Sequence, residues 1–245
     1  GIPTPPGGWP DCVRWLPLAW GGIADDGIYR RGGALLVVAT DASGAPQAVQ
    51  QVMLTDRGTK APVSAVPGGV VKRTTGRLAG AAVRLPGASP QIVAEGPETG
   101  VSIWAATGRA VLVTLGVANF ARQRFDPGAA VVIARDHDAP ESPADRAVAK
   151  AAAALAEAGA AVSIATPPEP GSDFNDLIQT GGIEAVRATI AAAVPWQNAL
   201  YSGMAGGSGS TCRYVAPSFP APTRPIALLS ADVLTAVRAF LREVE

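Results

Sequence analysis

Short apolar runs of strand length recur along the middle of the chain, and most of them empty into a polar or acidic step. The run Leu35-Leu36-Val37-Val38-Ala39-Thr40, the turn Asp41-Ala42-Ser43-Gly44 and a second run from Gln47 to Leu54 predict a hairpin, because β-branched runs flank a glycine-containing turn. After Pro90 the rhythm becomes strand, helix, strand, helix. Gln91 to Ala94 is an apolar strand ending at Glu95-Gly96. Pro97 suits a first helical turn and Gly108 a stop, so Glu98 to Thr107 is predicted helical. Ala110 to Leu115, Ala130 to Ala134 and Ala160 to Ala165 are further strands. Between them come a weak helix over Val117 to Gln123 and a long alanine-rich helix, capped by Ser142 and running to Gly159. Asp173 to Ile178 opens a short helix that Gly181-Gly182 ends, and Ile183 to Val194 is a further helix. Strands that are apolar throughout and alternate with helices predict an α/β fold. Its sheet should be mainly parallel, covered on both faces and joined by right-handed crossovers.

The flanks lack this rhythm. Residues 1–33, rich in Pro, Gly and Trp, read as an irregular lead-in, with Trp15 and Trp20 anchoring it on the next domain rather than stacking on a base. Residues 34–89 form a small β-rich or α+β subdomain and residues 90–195 the α/β domain. Residues 196–229, with little periodicity, read as a linker or loosely packed tail. Residues 230–245 carry an amphipathic helix capped by Ser230, with Val233, Leu234, Val237, Phe240, Leu241 and Val244 at helical spacing.

Composition narrows the classes. A chain of 245 residues buries about 70–75% of its unfolded surface and needs no disulfide staple. Cys12 and Cys212 stand alone and far apart, which excludes a zinc ribbon within the chain and points to a reducing, cytoplasmic setting. No apolar run approaches the ~18 residues of a membrane span, so no membrane partner is expected. The start at Gly1, without Met, suggests a fragment of something longer. Twenty basic and twenty acidic residues cancel overall. Locally, however, Arg57, Lys60, Lys72, Arg73, Arg77 and Arg84 face only Asp56 over residues 56–84, among Gly and Pro residues that place most of them on loops. Such a cluster is either a solvated loop face or a surface for a polyanion.

Three acidic motifs follow predicted strands: Glu95-Gly96, Asp136-His137-Asp138 and Asp173-Phe174-Asn175-Asp176. The 41 positions from Glu95 to Asp136 leave room for two βα units, so the motifs can converge on one carboxyl edge. Converging carboxylates without a basic residue among them repel unless a cation is present. Hard oxygen donors with no cysteine nearby favour Mg²⁺ or Mn²⁺ over zinc. Magnesium keeps several waters and binds substrate phosphates, which points to phosphoryl transfer. His137, the only histidine, is a general-base candidate, but strand alternation would turn it away from the two aspartates.

The motifs Ile92-Val93-Ala94-Glu95-Gly96, Val132-Ile133-Ala134-Arg135-Asp136-His137-Asp138 and Gly171-Ser172-Asp173-Phe174-Asn175-Asp176-Leu177 resemble the Toprim domain of topoisomerases and bacterial or phage-type primases. The likeness is nearest to phage and plasmid primases, primase-helicases and relaxase-associated primases, whose glutamate motif also runs Glu-Gly-x-Glu-Thr, here Glu95 to Thr99. It covers residues 90–195 and, more loosely, residues 34–89, where Gly58 to Pro62 and Thr75 to Leu85 look like the segment preceding Toprim. The resemblance implies that Asp136 and Asp138 bind Mg²⁺ or Mn²⁺, and that Glu95 acts in acid/base chemistry or helps position metal. Asp173 is implied as a further acid at the metal, with Asn175 and Asp176 as possible neighbours. Lys60, Lys72, Arg73 and Arg77 are similar in placement to residues that hold template and nucleotide.

The implied activity is primer synthesis: Mg²⁺-dependent joining of NTPs on a single-stranded DNA template, with a helicase domain or protein as a possible partner. No Walker A motif, topoisomerase-type tyrosine or zinc module is visible in the sequence. The same carboxylates would serve a Toprim nuclease or a topoisomerase-like strand-transfer module, and a non-catalytic nucleic-acid-binding module of a relaxase or replication protein is a third alternative.

Overall fold

The computed structural model describes residues 8–23, 29–55, 57–66 and 69–197. The expected tail over 196–229 falls almost wholly, and the helix over 230–245 wholly, outside these residues. Two sheets are present. The first is antiparallel, in the order β1 (Val13–Ile23), β2 (Tyr29–Thr40), β3 (Pro46–Met53) and β4 (Lys72–Gly76). The expected hairpin is β2–β3, held by the Asp41 turn, where Ser43, Ala45 and Gln47 all donate to the carboxylate.

The second sheet contains β5 (Val83–Leu85), β6 (Ala88–Ala94), β7 (Arg109–Val113), β8 (Ala130–Ala134), β9 (Ala161–Ala165) and β10 (Val194–Pro195). Its spatial order is β10-β9-β8-β6-β7-β5. The four central strands are parallel, while β5 and β10 pair antiparallel at the edges. Helix α1 (Pro97–Thr107) follows β6, α2 (Pro143–Glu157) follows β8 and α3 (Phe174–Ala191) follows β9. One face of the sheet packs Ile92, Val111, Val113 and Val132 against Val101 and Ile103 of α1 and Phe174 and Leu177 of α3. The other packs Val93, Val131, Ile133 and Val162 against Phe120 and against Val148 and Leu155 of α2. Burial on both faces is why these strands read as unbroken apolar runs. Val13, Val37, Ala39 and Ala48 of the first sheet join the α1/α3 cluster, so the two sheets share one core.

Several local expectations are corrected. Where it is described, the lead-in is not irregular, for β1 and the start of β2 run through it. Strand β1 is an edge strand carrying Pro17 and two register shifts, which erase the period-two signal. Trp15 lies over Gly33 and pairs in register with Leu35 of β2, so it packs the lead-in against the neighbouring strand while staying 55% exposed. The weak helix expected over Val117 to Gln123 is present as a 3-10 helix, Val117–Arg122. The glycine pair divides α3 as expected, because Gly182 (φ +73°) is non-helical and separates two helical stretches, but the second stops at Ala191, so Val194 belongs to β10 rather than to a helix.

Candidate metal and phosphate site

The parallel arrangement brings the three acidic motifs together. Glu95 leaves the carboxyl end of β6, Asp136 and Asp138 follow β8, and Asp173 follows β9 after one loop. These strands are neighbours in the order β9-β8-β6, so the acids share one edge of the sheet. All four side chains are half-buried.

Their proton affinities report the convergence. Burial pushes the Asp136 carboxyl up from 3.8 to about 7, and the charges of Asp173, Glu95 and Asp138 push the same way, against a smaller pull from Lys72. Burial also raises Glu95; a backbone N–H bond from Val117 opposes it, Asp138 adds to it and Lys72 opposes it. Asp173 is raised by burial and by the charges of Asp176 and Glu98, against backbone N–H bonds from Asp176 and Asn175. Asp136 Oδ1 is buried without a hydrogen-bond partner.

Asp173 is also the N-cap of α3. Its Oδ1 accepts from Asp176 N at 2.8 Å, and Asp176 Oδ2 accepts from Asp173 N at 3.2 Å. This capping box gives Asp176 a structural job and engages Asp173 Oδ1. Asn175 Oδ1 lies 3.4 Å from Ser102 Oγ of α1, a further link between helices.

The basic residues do not act as a block. Lys72 and Arg73 lie on β4 rather than on a loop, and successive strand residues face opposite ways. The cross-sheet register puts Lys72 in one row with Val52, Leu35 and Trp15, on the face that carries Val37 and Ala39 into the shared core. Lys72 Nζ pairs with Glu98 Oε2 of α1 at 3.1 Å, and its charge reaches both Glu95 and Asp136. The expectation of carboxylates without a basic neighbour is therefore corrected. Arg73 is on the opposite face, while Lys60, at an isolated bridge to Leu54, and Arg77, just past the end of β4, are exposed.

Sequence reasoning passed over Arg135. Its Nη1 pairs with Asp145 Oδ1 at 2.5 Å, its Nε donates to Asp136 O at 3.2 Å, and Nη2 lies 3.5 Å from Asp138 O. One guanidinium thus holds the carbonyls of both aspartates to the first turn of α2. A lone arginine at the end of an apolar strand was the available signal.

The donor set suits a hard divalent cation. Among the described residues, no three His, Cys, Asp or Glu side chains stand close enough to form a metal cage. Magnesium requires none, because one or two carboxylates plus water and phosphate complete its shell. The unpartnered Asp136 Oδ1 and the like charges around it are what such an ion would satisfy.

Residues 91–184 match the family model of the Toprim domain. The chain carries a Toprim domain. Residues 1–85 match a second model, described as a domain of unknown function, DUF7146. Among solved structures, a DNA primase domain from Pseudomonas aeruginosa is 18% identical with a TM-score of 0.52, over 75% of this chain and 66% of that one. The zinc-binding and RNA polymerase domains of Aquifex aeolicus primase are 18% identical with a TM-score of 0.45, over 69% of this chain and 43% of that one. The primase fragment of the bacteriophage T7 primase-helicase is 14% identical with a TM-score of 0.42, over 68% and 65%. The chain thus spans just under two thirds of the Pseudomonas domain and less than half of the Aquifex fragment. No curated protein matches it. The fold is primase-like: a Toprim α/β sheet preceded by a separate antiparallel sheet. No helix among the described residues is long and apolar enough to cross a membrane.

Proposed function

We propose that this chain is a primase-type nucleotidyltransferase that joins NTPs into RNA primers on single-stranded DNA with Mg²⁺ or Mn²⁺. The observation that carries the reading is the gathering of Glu95, Asp136, Asp138 and Asp173 at one edge of a Toprim sheet, with Lys72 of the preceding sheet reaching the same acids. The similarity to a primase domain extends over 75% of the chain, well beyond the Toprim match, and this favours a primase over a Toprim nuclease.

Asp136 and Asp138 would hold the ion, with Asp173 at its margin. When bound, the ion supplies charge stabilisation for the oxygens of the phosphoryl group in transfer. Glu95, with its proton affinity raised, is suited to accept the proton of the attacking hydroxyl. Lys72 is held only by a solvent-exposed pair with Glu98, an interaction of about 0–1 kcal/mol, so a substrate phosphate can displace Glu98. Arg77 and Lys60 would contribute to backbone attraction along the template.

The test is primer synthesis from labelled NTPs on a single-stranded template. Glu95→Gln and Asp136→Asn should each reduce synthesis by at least ~100-fold, and Lys72→Ala should raise the KM for NTP. Unchanged synthesis in the first two variants would remove the site assignment. Metal-dependent nicking of a plasmid without primer products would replace polymerisation with nuclease chemistry.

A further inference from the structure

The two loops that bring aspartates to the site are tied together at His137. Its backbone N–H donates to Ser172 O at 2.9 Å, and Gly171 N–H donates to His137 O at 2.8 Å. The imidazole adds a third bond, with Nδ1 lying 2.8 Å from Pro167 O. A carbonyl can only accept, so Nδ1 carries the hydrogen and the ring is held in its Nδ1–H tautomer. The partner loop is stiff, since Pro167, Pro168 and Pro170 have fixed φ, and Gly171 supplies the one left-handed turn (φ +78°). Ser172, which receives the backbone bond, immediately precedes Asp173, and His137 stands between Asp136 and Asp138.

We infer that His137 is a positioning residue, whose Nδ1–H bond to Pro167 O fixes the Asp136–Asp138 loop against the Asp173 loop and so sets the spacing of the cation-binding carboxylates. It is neither a ligand nor a base in this role. Arg135 braces the same loop from the other side, against α2, so the imidazole is the side-chain tie toward Asp173. The role of the tie rests on the metal-binding reading of the site, but the tie itself can be measured without metal.

Because His137 is the only histidine, ¹⁵N-histidine labelling of the full chain gives a single imidazole in the NMR spectrum. At mildly alkaline pH, a protonated Nδ1 and a bare Nε2 are expected. A protonated Nε2 would overturn the tether. Mn²⁺ binding, followed by the loss of the free-ion EPR signal, tests the positioning. Asparagine places an N–H where histidine has Nδ1, and glutamine places it where histidine has Nε2. His137→Asn should therefore bind Mn²⁺ within about threefold of the parent. His137→Ala and His137→Gln should bind about 10–100-fold more weakly, the usual effect of losing a group that orients a ligand. Equal binding by all variants, or a His137→Asn protein as weak as His137→Ala, would overturn the inference. A parent chain with an Nδ1–H imidazole and no Mn²⁺ affinity would instead sink the proposed function and leave the tether standing.

Discussion

At the scale of single residues, the site is built from acids whose burial and mutual repulsion make their charged forms costly. Asp136 is the extreme case, with a folded-state pKa of about 7 against an ordinary 3.8. The sign of its effect on stability comes from linkage. The protonated carboxyl stabilises the fold fully below about pH 4, and that contribution is lost as the pH rises through about 7. Asp136→Asn mimics the protonated form. Without divalent ions, the variant should match the parent near pH 4 and exceed its Tm by about 2–4 °C above pH 7. Millimolar Mg²⁺ should then raise the Tm of the parent but not of the variant. Thermal scans at about pH 4 and pH 8, with EDTA and with Mg²⁺, check this; equal midpoints at pH 8 in EDTA would show that Asp136 bears no repulsion. The three acidic motifs were legible in the sequence because each follows an apolar run, the third after one loop. The roles of Arg135 and His137 were not, because they depend on which loop lies across from the Asp136–Asp138 loop.

At the scale of elements, α1 sets how Glu95 and Glu98 are presented, and one glycine sets how closely α1 approaches the sheet. A Cβ on Gly100 would stand 2.2 Å from Val113 Cγ2 of β7. Gly100→Ala must therefore push the helix off the sheet, and the expected cost is about 1–3 kcal/mol in urea unfolding, despite the higher helix propensity of alanine. A stabilised variant would mean that the helix has room to move. The ends of α1 were legible, with Pro97 in the first turn and Gly108 in the left-handed region just past the last turn (φ +63°); the reason for Gly100 was not, because nothing local distinguishes a packing glycine. The same limit explains the first strand. Strands β8 and β9, buried on both faces, announce themselves as apolar runs, whereas β1 is bulged, lies at an edge and alternates irregularly, so only its pairing with β2 makes it a strand.

At the scale of the molecule, the antiparallel sheet is fastened to the Toprim domain at two kinds of joint. One is the shared apolar core. The other is polar and centres on Asn119, which is 7% exposed at the inner side of the 3-10 helix. Gly80 N–H donates to Asn119 Oδ1 at 2.9 Å, and Asn119 Nδ2 reaches Ala81 O at 2.8 Å, Thr114 O at 3.0 Å and Leu78 O at 3.2 Å. One amide thus ties the connector between β4 and β5 to the end of β7. The Thr40–Ala82 bridge continues the joint, with bonds of 2.9 and 3.0 Å, and Arg84 Nε donates to Asp41 O at 3.1 Å. Since β4 carries Lys72, this joint also governs where the lysine stands over the carboxylates. Asn119→Leu keeps the volume but leaves Gly80 N–H and at least one carbonyl without partners in a dry site. The expected loss is about 2–4 kcal/mol. Unfolding in urea, followed by both tryptophan fluorescence and far-UV circular dichroism, should show one transition for the parent, because a single core spans both sheets. The variant should move that midpoint down, and two separate transitions in the parent would mean that the sheets unfold independently and that the position of Lys72 is not dictated by the Toprim domain.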